Sequence, residues 1–327
     1  MRRALVTGAL LVLACGGADA PDPGTAEPGR PALAPLAPPG SRLSLRAPET
    51  LVRVPHTLRF VDRDRGWSLR VSDATVEPGA ERALAEAYVA RVRRDTDGEL
   101  RHRPVSLRGR EAVELTVNGP TERLRALTVW ADGAVARLEL RHARGEARLA
   151  EHVMDSVRFD PRAPLDPLAA LDLRAAPPEG LTLLPVSNEQ LLLREGAHAV
   201  PFPSAEAALD AVWVPFAEGR RPEDDRARGQ LLGARFAGLE IAPPTVGPLA
   251  HEAFAGYQLA TTAPRPDGDG ALHLFGAYLE GRTGALLVRA SVDEARAEPW
   301  QPRFSAFVAS LRPRGFRPRS TGADPAR

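Results

Sequence analysis

Apolar positions in this chain fall in short runs whose period switches between that of a strand and that of a helix. In 135–140, Ala136, Leu138 and Leu140 alternate with Arg137, Glu139 and Arg141, which predicts a strand with one buried face. Similar runs predict strands over 57–61, 67–71, 105–107, 112–117 and 124–130. The turns between them are polar: Asp62-Arg-Asp-Arg-Gly66, Arg108-Gly109-Arg110 and Ala131-Asp132-Gly133-Ala134. In the last, Asp-Gly supplies the left-handed backbone that a tight hairpin needs. Leu84, Tyr88 and Val92 recur at helical spacing after Pro78-Gly79, predicting a helix over 81–94, and Leu149, Val153 and Val157 predict a closing helix over 146–157. The order is ββαββββα, an antiparallel sheet with helices packed on it.

The second half of the chain repeats part of that pattern. Strands are expected over 254–261, 271–279 and 283–292, then a helix carrying Phe304, Phe307, Val308 and Leu311. Pro299 and Pro302 must then precede that helix or sit in its first turn, because an interior Pro removes a hydrogen bond and clashes. Upstream, 181–186 and 190–194 are expected as strands, and 204–212 and 223–232 as helices. Gly109-Arg-Glu-Ala-Val-Glu-Leu115 resembles Glu252-Ala-Phe-Ala-Gly-Tyr-Gln-Leu259, and Asp155-Ser-Val-Arg158 resembles Ala309-Ser-Leu-Arg312. Matching ends in matching order point to a divergent duplication.

The fold class expected is therefore α+β: two αβ sandwich domains, 44–160 and 179–314. A Pro-rich linker over 161–178 would separate them, and an Arg/Pro-rich tail would follow from 315 to 327. At the other end, Met1-Arg2-Arg3 is a positive n-region and 4–14 an apolar stretch too short to span a bilayer. The segment ends in Val12-Leu13-Ala14-Cys15-Gly16, which resembles a bacterial lipobox. That resemblance implies cleavage of residues 1–14 and lipid attachment at Cys15, the chain's single Cys. A Pro/Gly-rich tether over 15–43 would follow. Gly16 favours the outer over the inner membrane of a two-membrane envelope.

The "GREAVEL" strand, the hairpin at Trp130-Ala-Asp-Gly and the helix ending in Asp155-Ser-Val-Arg-Phe159 together resemble the DcrB and PsbP-like superfamily. The resemblance covers 44–160 and, less closely, 179–314. It implies an αβ sandwich of a kind used by lipoproteins, photosystem extrinsic subunits and secretion adaptors. No catalytic motif defines that family, so no site residue carries over.

Composition narrows the chemistry. All 43 basic residues of the 327 are Arg, which excludes a P-loop lysine, a Schiff-base lysine and a Ser-Lys dyad. A formal charge of +1 gives no electrostatic footprint for nucleic acid. One Cys excludes an internal disulfide framework and any multi-Cys metal site. His142 and His152 flank Glu146, the residue types of a zinc set, but surface or partly buried histidines are the default. Asp62/Asp64, Asp95/Asp97 and Asp267/Asp269 each resemble the start of a calcium loop without its distal Glu, and are expected as turns. Gly281-Arg-Thr-Gly284 has the form of a nucleic-acid clamp loop but joins two strands, so a hairpin turn is expected. Trp67, Trp130, Trp213 and Trp300 are expected in packing rather than on a glycan-binding face.

No catalytic residue, cofactor or metal ligand is therefore assigned. The expectation is a non-enzymatic envelope lipoprotein that meets the membrane through its lipidated N-terminus. Its partner would be an envelope protein or a lipid. An immunity-type inhibitor of an exported toxin and an undetected hydrolase are the alternatives.

Overall fold

A computed structural model describes residues 31–96, 98–196, 202–216, 221–266 and 268–316. The signal segment, Cys15 and most of the tether lie outside the described residues, as do Asp97, His198, Asp267 and the end of the tail. Among the described residues, no helix is long and apolar enough to cross a membrane.

The architecture is mixed α+β, built on two antiparallel seven-stranded sheets. The N-terminal half opens with β1 (Leu33–Leu36) and β2 (Leu43–Pro48). It continues through β3 (Val52–Arg53), β4 (Arg59–Asp62), β5 (Trp67–Thr75) and α1 (Glu81–Arg94). The long strands β6 (Glu99–Leu107), β7 (Arg110–Asn118), β8 (Glu122–Ala131) and β9 (Ala134–Ala143) follow. A 3-10 turn, Arg144–Glu146, leads into α2 (Ala147–Asp155) and β10 (Arg158–Phe159). After α3 (Pro167–Ala170) and β11 (Leu173–Arg174), the C-terminal half runs β12 (Thr182–Leu184), β13 (Gln190–Arg194), β14 (Ala208–Pro215), α4 (Asp225–Gly233), β15 (Thr245–Leu249), β16 (Ala255–Pro264), β17 (Ala271–Glu280) and β18 (Gly284–Asp293). A 3-10 turn (Ala234–Phe236) also follows α4, and another (Glu294–Arg296), α5 (Ala297–Ser310) and β19 (Arg312–Pro313) close it.

The two sheets share one strand order: β3-β4-β5-β9-β8-β7-β6 in the first and β12-β13-β14-β18-β17-β16-β15 in the second. In each, a helix follows the third strand, and the last strand leads through a 3-10 turn into the closing helix. Each closing helix then feeds a two-residue strand that pairs outside the large sheet, β10 with β2 and β19 with β11. The topology thus repeats element by element, further than the sequence match extended. The closing helices seal equivalent cores. Val153 and Val157 are fully buried in the first half, and Phe304, Phe307, Val308 and Leu311 are buried in the second.

Several sequence expectations are corrected. The run over 204–212, expected as a helix, contains the start of β14, a central strand paired with both β13 and β18. Ala208, Leu209, Asp210 and Ala211 are all buried, so this strand is covered on both faces and carries no alternation of burial to reveal it. Pro302 lies inside α5 rather than in its first turn. Glu298, whose carbonyl Pro302 leaves without an intrahelical partner, is exposed, so that carbonyl can turn to solvent. In α1 the buried apolar side chains are Ala85, Tyr88 and Val89, whereas Leu84 remains exposed.

The segments assigned to connecting roles are also more structured than their Pro content implied. Residues 33–36, placed within the tether, form β1 against β2. In 161–178, Leu165, Ala170, Leu171 and Leu173 are buried and the segment carries α3 and β11. The described residues from Leu33 onward form one compact unit. At the junction of the halves, Thr75 N donates to Val186 O at 2.8 Å and Asn188 N donates to Asp73 O at 3.1 Å. The Asn188 side chain accepts from Asp73 N at 2.9 Å, and Arg70 pairs with Glu189.

Candidate functional site

The histidine pair that the sequence raised as a zinc set does not assemble. His142 is fully buried beside Trp67, with ring centroids 5.8 Å apart, whereas His152 is on the exposed side of α2. Among the described residues no group of three or more His, Cys, Asp and Glu is arranged to hold a metal. Asp62 Oδ1 accepts from the backbone of Asp64 and Arg65, and Oδ2 accepts from Thr50, so this carboxylate caps its own turn. Gly281-Arg-Thr-Gly284 is the β17–β18 turn, closed by Gly281 N donating to Gly284 O at 2.9 Å. The four Trp side chains are buried, Trp130 donating to Glu111 and Trp300 stacking on Phe304.

What the sheet does assemble is a basic hollow on the first half. Leu127 and Val129 of β8, with Leu138 and Leu140 of β9, sit in the core. Continuing along the same face, the strand period places Arg125 and Arg123 of β8 and His142 of β9 beyond the apolar patch. Arg125 stands opposite Leu140, and Arg123 opposite His142. On β7 the same rows carry Thr116 and Asn118, and on β6 Arg103 and Arg101 lie opposite Glu114 and Thr116. These side chains, with Ala147 at the amino end of α2, line a hollow of about 580 Å³.

Its charges are only partly matched. Glu114 accepts from Arg125 through Oε1 at 2.5 Å and from Arg103 through Oε2 at 2.7 Å. Burial pushes the Glu114 carboxyl up, but the hydrogen bonds from Arg125 and Arg103 outweigh it and hold the group below its ordinary range. Arg101 pairs with Glu99 at 2.6 Å. The Arg123 side chain has no hydrogen-bond or ion-pair partner among the described residues, and its Nε is buried. The His142 Nδ1 lies 2.8 Å from Ala143 O, while its Nε2 is buried without a partner. Burial, reinforced by Arg125 and Arg123, holds the His142 pKa below the ordinary histidine value. Such an arrangement favours an anion: guanidinium donors, an amino helix end and two imidazole rings, those of His102 and His142, line it.

The sequence reading missed this site, because its four Arg are spread over two strands and offset by ordinary ion pairs elsewhere. The signal available was a strand face turning from Leu to Arg: Val129, Leu127, Arg125, Arg123.

Two further cavities flank the helices of the opposite sheet faces. In the first half α1, β6, β7 and Trp130 enclose a mainly apolar groove of about 430 Å³. In the second, α4, β15, β16 and Tyr278 enclose one of about 220 Å³.

No family model and no curated protein matches this chain. Among solved structures, cyanobacterial PsbP (CyanoP) from Synechocystis sp. PCC 6803 is 14% identical and covers 45% of this chain and 98% of its own, with a TM-score of 0.30. The apo immunity protein TplEi of the T6SS from Pseudomonas aeruginosa is 13% identical and covers 86% of this chain and 97% of its own, with a TM-score of 0.34. A protein of unknown function from Pseudomonas aeruginosa is 17% identical over 50% of this chain and 94% of its own, with a TM-score of 0.29. These are similarities of architecture alone.

Proposed function

We propose that this chain is a non-enzymatic binding protein, tethered to an envelope membrane through lipid on Cys15, that holds an anionic ligand or partner surface in the basic hollow of its first half. One observation carries the reading. Arg101, Arg103, Arg123 and Arg125 occupy sheet positions that the second half, with the same topology, fills with Thr245, Gly247, His273 and Phe275. The fold does not require Arg there, and two buried nitrogens without partners are costly unless something offsets them. The tether sequence supports the anchored half of the reading: Cys15 stands at the lipobox position, followed by a Pro/Gly-rich stretch.

Two measurements test it. Titration of the full chain with poly-glutamate, sulfate and glycerol phosphate should give salt-sensitive binding that Arg123→Gln and Arg125→Gln weaken; no binding of any of these anions overturns the ligand assignment. Metabolic labelling with palmitate should mark the wild-type chain and not Cys15→Ser. Labelling that survives the substitution removes the anchor.

A further inference from the structure

We infer that the hollow recognises one chemical class of anion, the phosphate monoester group, and that His142 takes up a proton when it binds. The inference rests on the anion-binding reading above and deepens it. Charge sets the class. Four guanidiniums, Arg101, Arg103, Arg123 and Arg125, face two carboxylates, Glu99 and Glu114, so two positive charges are left over. A phosphate monoester, close to doubly charged near neutral pH, offsets these two and leaves only the proton taken up by His142 uncompensated, whereas one carboxylate leaves the hollow doubly positive. Geometry agrees. Arg123 and His142 are directly opposed across β8 and β9 on one face, which brings their side chains within reach of a single tetrahedral group. Each brings a buried nitrogen without a partner, the Arg123 Nε–H as a donor and the His142 Nε2 as an acceptor while the ring is neutral.

The groups facing His142 explain the proton. From β8 come Arg123 and Arg125, whose charges oppose protonation of the ring. From the 3-10 turn comes Glu146, which favours it but is already paired with Arg65 at 2.7 Å. From β5 comes the uncharged Trp67 ring. An anion seated between Arg123 and His142 screens the two guanidiniums and accepts a hydrogen bond from Nε2, which acquires its proton from solvent. No bond to phosphorus is made or broken.

The test is calorimetry on the full chain with glycerol phosphate, sulfate, acetate and poly-glutamate, and flotation with phosphatidylcholine vesicles with and without phosphatidic acid. Glycerol phosphate and sulfate should bind about tenfold or more tightly than acetate, and Arg123→Gln should remove about tenfold or more of that affinity. Sulfate stays a dianion across the range, so its affinity should rise as pH falls from about 8 to about 5, with proton uptake read from buffers of different ionisation enthalpy. In His142→Gln the pH dependence should vanish, whereas His102→Gln, at the other imidazole lining the hollow, should keep it. If that variant does not fold, the wild-type proton uptake and Arg123→Gln carry the test. Vesicle binding that needs phosphatidic acid assigns the ester to a lipid, and glycerol phosphate binding without it assigns a soluble one; both support the inference. Acetate binding as tightly as sulfate, or sulfate binding without proton uptake, overturns it. Poly-glutamate binding with neither phosphate nor sulfate binding overturns it while leaving the proposed function standing, and no binding at all removes both.

Discussion

The two halves use one strand order and one closing scheme, yet they treat the outer end of the sheet differently. In the second half, Phe275 of β17 and Val292 of β18 are buried where the first half has Arg125 and His142. Next to them, Thr245 and Gly247 stand where the first half has Arg101 and Arg103. Closer to the middle of the sheet the contrast is milder and takes the form of exchange. Arg70 faces Glu139 across β5 and β9, while at the equivalent position Asp210 faces Arg289 across β14 and β18. Opposite charge is kept and its sign is reversed, which a sheet tolerates because the pair interaction is symmetric. The four Arg of the hollow have no such counterpart. A repeat thus separates what the topology needs from what one copy has added: an apolar closing helix and a paired centre belong to both, the basic end to one.

The closing helices give the sharpest way to break this equivalence. Phe304 is fully buried and stacked against Phe275 and Trp300, so Phe304→Ala should cost about 3–5 kcal/mol in urea denaturation. The transition should remain single, because the halves share backbone hydrogen bonds; two resolved transitions would show that they are energetically independent.

The junction gives the next largest effect. Asp73 is 2% exposed and accepts from Ser41 Oγ, Arg42 N and Asn188 Nδ2, tying the entry strand to both halves. Asp73→Ala orphans these donors and should cost about 2–3 kcal/mol. Limited proteolysis of the wild type should spare 161–178, whereas Asp73→Ala should make it a cleavage site. Early cutting there in the wild type would mean that α3 and β11 open on their own.

A smaller effect is expected with pH. Burial lowers the pKa of His56, His142, His251 and His273, so folding favours their neutral forms. For a depressed histidine, this stability is complete above the unfolded-state value of about 6.5 and is lost as pH falls through it toward the folded-state value. Melting temperature should therefore hold from about pH 8 to about pH 7 and decline below. His142→Gln should soften that decline in the first half, and an unchanged slope would argue against its buried neutral state. The smallest effect belongs to Arg123→Gln, which removes a charge without a partner and should leave stability within about 0.5 kcal/mol. A large loss would make Arg123 a structural residue and equalise the halves.

Particular elements show how far the sequence could be read. The α1 helix is bounded as its spacing and Pro78-Gly79 predict, and β13 ends where its apolar run does. The β8–β9 hairpin follows its alternation and turn residues, with Asp132 in the left-handed region, whereas β6 begins at Glu99, well before the strand expected over 105–107. β14 was not legible, because a strand buried on both faces has no period to distinguish it from a buried helix. The hollow was not legible either. Arg101 and Arg123 are distant in the chain and become neighbours only through the β6–β7–β8 register.

By itself the sequence determined the α+β class, the ends of most hairpins and the sites of both closing helices, because alternation, helical spacing and turn residues act within a few residues of chain. It also carried the expectation of an anchor at Cys15. Only the tertiary structure decided that 161–178 is packed, that β14 is a central strand, and that four Arg and a buried His meet on one sheet face. Those outcomes depend on register and on what covers each face, and both are set by partners far along the chain.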